Sequence, residues 1–233
     1  MSFPFYVNPE QMTQDKAEFA RKGIARGKSI VTLEFSAGIL MVAENPLRLQ
    51  KLGEIYDRIA FAGVGKFSEF DRLRKMGVQW ADVEGYRFSR DDVRAKALAN
   101  LYSQVLGDEF TRSLKPFEVE IVVAEVGVDD LVGHERNALY RVGFDGTIQD
   151  QEGYCAIGGS VDSLQAHLAA NYRTGLSLRD AVRLGRDTLQ RAENGQPDLA
   201  AEKLEVAVLD RTRSSGRRFR RLGTDEIRQY LAS

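Results

Sequence analysis

Between residues 28 and 45 the chain reads KSIVTLEFSAGILMVAEN. Val31, Leu33 and Phe35 alternate with Thr32, Glu34 and Ser36, and Ile39–Ala43 follows as an apolar run. Alternation and run together predict two short strands joined by a tight turn at Ala37-Gly38, with Glu44 where the second strand ends. Upstream, Asn8-Pro9-Glu10-Gln11 has the order of a helix start: Asn8 as cap, Pro9 in the first helical position, Gln11 where a capping box places Gln or Glu. Met12, Phe19, Ala20, Gly23 and Ile24 fall on one face, so the helix is expected to run to about Arg26 and stop at Gly27. Residues 1–7 hold Phe3, Phe5 and Tyr6 around Pro4 with no regular period.

Past the hairpin, Glu54–Gly63 reads as a third strand. Phe67, Phe70, Leu73, Gly77 and Ala81 then recur at helical spacing. A second helix is expected from Ser89, its face continued by Val93, Ala97, Leu101, Val105 and Leu114, and closed by Lys115-Pro116. Val119–Val126 and Leu139–Ile148 read as strands, the latter with a turn at Asp145-Gly146. Tyr154–Ile157 is a short strand, and Gly158-Gly159 leads into a helix with Val161, Leu164, Leu168 and Tyr172. Ser177–Asp180 caps a further helix to about Ala192, and NGQPD at 194–198 is a loop. Leu204–Asp210 and Arg217–Leu222 are strands around a Ser-Ser-Gly turn, and Thr224 starts a last helix. Strands in clusters joined by short turns indicate antiparallel sheets, and two helix pairs separated by strands indicate a helical layer on each side.

Composition narrows the class. At 233 residues the chain buries roughly 70–75% of its unfolded surface and needs no staples. Its 33 basic and 34 acidic residues leave a net charge of −1, which argues against bulk binding of nucleic acid or anionic membrane. A single cysteine, Cys155, excludes a disulfide framework and fits a reducing compartment. No apolar run approaches the ~18 residues of a membrane span, and no basic residue precedes Lys16, so no secretory signal is expected. A cytoplasmic protein follows.

Several motifs have plain structural explanations. Gly63-Val-Gly65-Lys66-Phe67-Ser68 lacks the first glycine of a phosphate loop, because Ala60 stands there. It also has Phe67 where Ser or Thr is required, and Ser68 replaces the third glycine of a dinucleotide fingerprint. It reads as a tight strand-to-helix turn. His134 and His167, with one cysteine and no clustered ligands, make no zinc site. Cys155 lies in a strand and reads as a small core residue. The six arginines at 211, 213, 217, 218, 220 and 221 have only Phe219 interleaved, so a solvated hairpin or subunit contact is favoured over a nucleic-acid surface.

ARKGIARGKS (20–29), the hairpin with AENP (43–46), LQKLGEIYDRI (49–59), AGVGKFSEFDRLR (62–74) and YCAIGG (154–159) together resemble the proteasome family, and among its members the bacterial, actinobacterial-type α subunit. The resemblance implies an α+β, four-layer αββα sandwich of the N-terminal nucleophile hydrolase type with an extra N-terminal helix. It implies one α-type domain over 9–233, with residues 9–27 as a ring-contact helix and residues 1–8 as a gate segment. Catalytic members open the hairpin with a threonine whose hydroxyl attacks and whose free α-amine is the base. Aligned through Val31, that position is Lys28, which has no hydroxyl and whose nitrogen is an amide. The resemblance therefore points to a non-catalytic subunit, with no cofactor and no metal.

It further implies a heptameric outer ring on β-subunit rings, with Met12, Phe19 and Ile24 at the ring contact and Phe3, Pro4, Phe5 and Tyr6 in the gate. Lys51 resembles the pocket lysine that takes the C-terminal carboxylate of a docking AAA-type ATPase. A Lys51–Glu54 surface pair is the plainer alternative for that lysine. Substrates of actinobacterial relatives carry the small protein tag Pup. A rival reading is a hydrolase matured by cleavage before Ser29, one place past the nucleophile position.

Overall fold

In the computed structural model the residues described are 8–47, 49–127, 129–130, 133–134, 136–192, 199–213 and 217–232. The gate residues Phe3, Pro4, Phe5 and Tyr6, the 194–198 loop and the Ser-Ser-Gly turn lie outside them.

Helix α1 (Pro9–Ala25) begins as expected, with Asn8 accepting from the Glu10 amide at 3.0 Å. Gln11 does not close a capping box; its amide donates to Asp15 Oδ1 at 2.9 Å. Strands β1 (Ile30–Phe35) and β2 (Gly38–Glu44) form the opening hairpin. Gly38 has φ +152°, and a Cβ there would lie 1.9 Å from the Leu209 carbonyl, so the turn needs glycine. The expected third strand is two: β3 (Leu52–Tyr56) and β4 (Ile59–Gly65), which reverse at Asp57-Arg58. The polar pair sits inside an otherwise continuous pattern, and no glycine or proline flags the reversal.

Helices α2 (Phe67–Arg87) and α3 (Ala95–Arg112) follow. Ser89 does not start α3; it caps a single 3-10 turn, Arg90–Asp92, and the helix begins at Ala95. The buried face is therefore Ala95, Leu98, Ala99, Tyr102 and Leu106, shifted by one position from the expected set. Ala97 is exposed, and Leu114 lies past the helix end and is 89% exposed. Next come β5 (Val119–Glu125), the two-residue strands β6 (Asp129–Asp130) and β7 (Gly133–His134), β8 (Ala138–Val142), β9 (Ile148–Gln151) and β10 (Tyr154–Ile157). The expected 139–148 strand is thus the β8–β9 hairpin. Helices α4 (Val161–Asn171) and α5 (Leu178–Ala192), strands β11 (Leu204–Asp210) and β12 (Phe219–Arg221), and helix α6 (Thr224–Leu231) complete the described chain.

The larger strands make two antiparallel five-stranded sheets, ordered β10-β1-β2-β11-β12 and β3-β4-β5-β8-β9. Period-two alternation sorts their side chains into separate cores. Ile39, Met41 and Ala43 of β2 and Ala60, Ala62 and Val64 of β4 meet between the sheets. Leu40 and Val42 point the other way, toward Leu164 and Leu168 of α4 and Val182 of α5. Ile59 and Phe61 point toward Leu73 of α2 and Leu98 and Tyr102 of α3. The result is four layers, helix–sheet–sheet–helix. Strands buried on both faces read as apolar runs, which is why β2 lost its alternation in the sequence.

Candidate functional site

The open end of the β1–β2 hairpin gathers Lys28, Ser29, Glu44 and Lys51. β1 and β2 pair from Phe35↔Gly38 at the turn to Ile30↔Ala43, so Lys28 and Glu44 emerge side by side. Lys28 Nζ lies 3.3 Å from Glu44 Oε1, and Glu44 is only 7% exposed. Lys51 precedes β3 and reaches back into the first sheet. Its Nζ donates to the Lys28 carbonyl at 2.8 Å and to the Glu44 carbonyl at 3.0 Å. Lys51 is half-buried, and that burial depresses its pKa to about 8. Glu44 and Glu205 oppose the shift, and Lys28 adds to it. Two of the three N–H groups of the ammonium are used by carbonyls; among the described residues no acceptor takes the third.

The chain around this end is tightly fitted. Gly158 has φ +122°, and a Cβ there would lie 2.7 Å from Ser29 Oγ. Its amide donates to Glu120 Oε2 at 3.2 Å, while Arg141 Nε holds Glu120 Oε1 at 2.6 Å. Burial raises the Glu120 pKa against the pull of Arg141. Helix α1 is seated against this end too: a Cβ at Gly23 would strike Glu118, and one at Gly159 would lie 2.8 Å from the Ala25 carbonyl. Lys28 therefore follows directly from a docked helix, with its nitrogen in a peptide bond.

Other residues singled out in the sequence fall elsewhere. Met12 and Phe19 are 41% and 43% exposed on the outer face of α1. Ile24, expected with them at a ring contact, is buried in the core between the sheets and presents nothing to a neighbour. Glu54 does not pair with Lys51; its Oε2 accepts from Arg217 Nε at 2.7 Å. Lys66 sits at the start of α2 with Gly65 at φ +105° before it, a strand-to-helix turn. Cys155 is fully buried and burial pushes its thiol up to about 12. His167 Nδ1 is 2.9 Å from Thr188 Oγ1; the His134 side chain lies outside the described residues. Five of the six clustered arginines are engaged within the chain: Arg211 with Asn137, Arg217 with Glu54, Arg218 with the Arg213 carbonyl, Arg220 with Glu226 and Arg221 with Glu205.

Sequence reasoning missed Glu205. Its carboxylate meets the amides of Lys51 and Leu52 at 3.0 and 3.2 Å. The available signal was a lone carboxylate inside the apolar run LEVAVL.

Two stacked antiparallel sheets between helix pairs, with a lysine where a nucleophile would open the first hairpin, define a non-catalytic sandwich of the N-terminal nucleophile type. Residues 24–209 match the family model described as Proteasome subunit. The proteasome subunit alpha of Thermomonospora curvata is 51% identical over 233 residues, covering 100% of this chain and 99% of that protein. Those of Renibacterium salmoninarum and Streptomyces coelicolor are 49% and 48% identical, each over 100% of this chain and over 96% and 91% of their own lengths. The chain belongs to the proteasome subunit family, in its non-catalytic α type. The reading of a hydrolase matured before Ser29 is set aside accordingly. Among the described residues no helix is long and apolar enough to cross a membrane.

Proposed function

We propose that this chain forms, with copies of itself, the heptameric outer ring of a 20S core particle in the cytoplasm. The ring caps β-subunit rings, restricts entry to their chamber with residues 1–8, and docks an AAA-type ATPase that unfolds Pup-tagged proteins. Lys51 takes the C-terminal carboxylate of that ATPase.

The observation that carries the docking role is the Lys51 ammonium: half-buried, fixed by two carbonyls, and with one N–H for an incoming acceptor. A charge-assisted hydrogen bond of that kind contributes ~1.5–3 kcal/mol, about ten- to hundredfold in affinity. The Arg217–Glu54 pair supports it by removing the competing partner. Exposed Met12 and Phe19, with Leu114 and Pro116 lining the same shallow cleft, support the ring contact.

The test is co-expression with the β subunit of the same genome, followed by sizing and by degradation of a folded, tagged substrate with the ATPase. Lys51→Ala in that particle is expected to abolish ATPase-stimulated degradation. Stimulation that survives at normal ATPase concentration overturns the docking assignment.

A further inference from the structure

β3 is an edge strand: it pairs with β4 alone. The amides at its outer side therefore lack a strand neighbour, and a buried edge needs another acceptor. Glu205 supplies it from the other sheet. It stands in β11 opposite Ala43, with its side chain 10% exposed. Oε2 accepts from the Lys51 amide at 3.0 Å and from Asn45 Nδ2 at 2.9 Å. Oε1 accepts from the Leu52 amide at 3.2 Å and from Arg221 Nη1. Arg221 closes the ring of contacts, because its Nη2 donates to the Leu52 carbonyl. Leu52, which opens β3, and Lys51 just ahead of it are thus gripped through their backbone by a carboxylate–guanidinium pair.

We propose that Glu205, backed by Arg221, is the positioning residue of the docking site: it fixes the height at which Lys51 leaves the sheet edge, so that Nζ falls between the Lys28 and Glu44 carbonyls. The proposal rests on the docking role given to Lys51. A bonded pair of amides has one place to sit, whereas an unpaired edge frays. Fixing the stem of a four-carbon side chain also lowers the entropy lost when a carboxylate binds its head. The charged groups around Lys51 are Lys28 before β1, Glu44 ending β2, Glu205 on β11 and, behind it, Arg221 on β12. Glutamine at 205 keeps one acceptor oxygen but removes the charge and one of the two grips.

Two measurements decide it. Trace acetic anhydride labelling of the folded full-length chain from about pH 6 to about 10, read at Lys51 by mass spectrometry, gives the titration midpoint of its amine with no activator present. Binding of a fluorescent peptide carrying the C-terminus of the same genome's ATPase to the assembled particle, with the amidated peptide as control, gives affinity. Glu205→Gln is expected to move the midpoint down by about half a unit or more and to weaken peptide binding about tenfold. Glu205→Asp keeps the charge and is expected to return the midpoint toward the parent value. Arg221→Gln is expected to weaken binding as well but to move the midpoint up, because a cation has been removed. A merely structural role moves neither midpoint in these opposite directions. Parent midpoint and parent affinity in Glu205→Gln overturn the proposal; if that variant does not fold, the same result in Arg221→Gln does so. Lys51→Ala separates the two claims. Parent affinity in that variant sinks the docking reading, while the midpoint shifts still decide whether Glu205 positions Lys51.

Discussion

Glu54 is held by Arg217, with 2.7 Å from Nε to Oε2, and not by Lys51 three residues before it. Strand alternation puts Leu52 and Glu54 on the face of β3 toward the first sheet, where Leu52 joins the core between the sheets and Glu54 meets Arg217, while Lys51 stands just ahead of the strand and its Nζ goes to the Lys28 and Glu44 carbonyls. The consequence is electrostatic. An exposed Lys–Glu pair keeps a lysine charged well past neutral pH, but Lys51 faces two carbonyl oxygens in a half-buried position and shares its surroundings with Lys28.

Docking should therefore be pH-dependent in a range that surface lysines do not reach. The carboxylate binds the ammonium form only. Burial brings the Lys51 pKa to about 8, so affinity is expected to be level below that value and to decline as pH rises through it. For a single required proton the loss approaches about tenfold per unit above the pKa. Titrating ATPase binding to the particle across this range checks it, and an affinity unchanged to about pH 9.5 contradicts it.

Residues 2–7 are expected to restrict entry. Their deletion should raise hydrolysis of small peptides by the assembled particle and speed the entry of casein-like unfolded chains. Apolar residues at a ring axis meet there in several copies, and none can bury them alone. Unchanged rates in both assays remove the gating role.

The layers were legible because both sheets are built from strands whose apolar character survives in any register. The opening hairpin, β5, β10 and β11 stand where the pattern puts them. Boundaries failed where a reversal used ordinary residues, as at Asp57-Arg58, and where one extra turn, Arg90–Asp92, displaced a helix start by several positions. Family resemblance singled out Lys51 as a docking candidate and Lys28 as the occupant of the nucleophile position, but not their meeting with Glu44 at one end of the hairpin. Glu205 was not legible, because the backbone amides it holds are more than 150 positions away, and nothing in a single sequence encodes which amides a strand edge leaves unpaired.

The outer face of α1 offers a separate test of assembly. Phe19 is 43% exposed and lies 5.5 Å under Lys115 Nζ, while Met12 is 41% exposed on the same helix. Buried between neighbours, each would contribute about 1.5 kcal/mol or more. Phe19→Asp is expected to leave a folded subunit that fails to form rings, seen by native mass spectrometry with an unchanged circular dichroism spectrum. Normal rings from this variant would place the contact elsewhere.

Helices α2 and α3 cross at Gly77, and this crossing predicts a coupled pair of stability effects. A Cβ on Gly77 would lie 1.9 Å from Tyr102 Oη, 2.9 Å from Cζ and 3.3 Å from Leu98 Cδ1. Tyr102 is fully buried, packs edge-on against Phe61 at 5.9 Å between centroids, and its hydroxyl has no hydrogen-bond partner among the described residues. Gly77→Ala is therefore expected to destabilise by ~1–3 kcal/mol through overpacking, despite the better helix propensity of alanine. Tyr102→Phe removes an unsatisfied hydroxyl and is expected to stabilise by about 1 kcal/mol. In the double variant the atom nearest the new methyl is gone, so the loss should fall short of the sum of the two by more than about 0.5 kcal/mol. Urea unfolding of the four subunits of this cycle measures the coupling. Additive effects would mean that the helices separate rather than clash, and that the crossing at Gly77 is looser than its geometry requires.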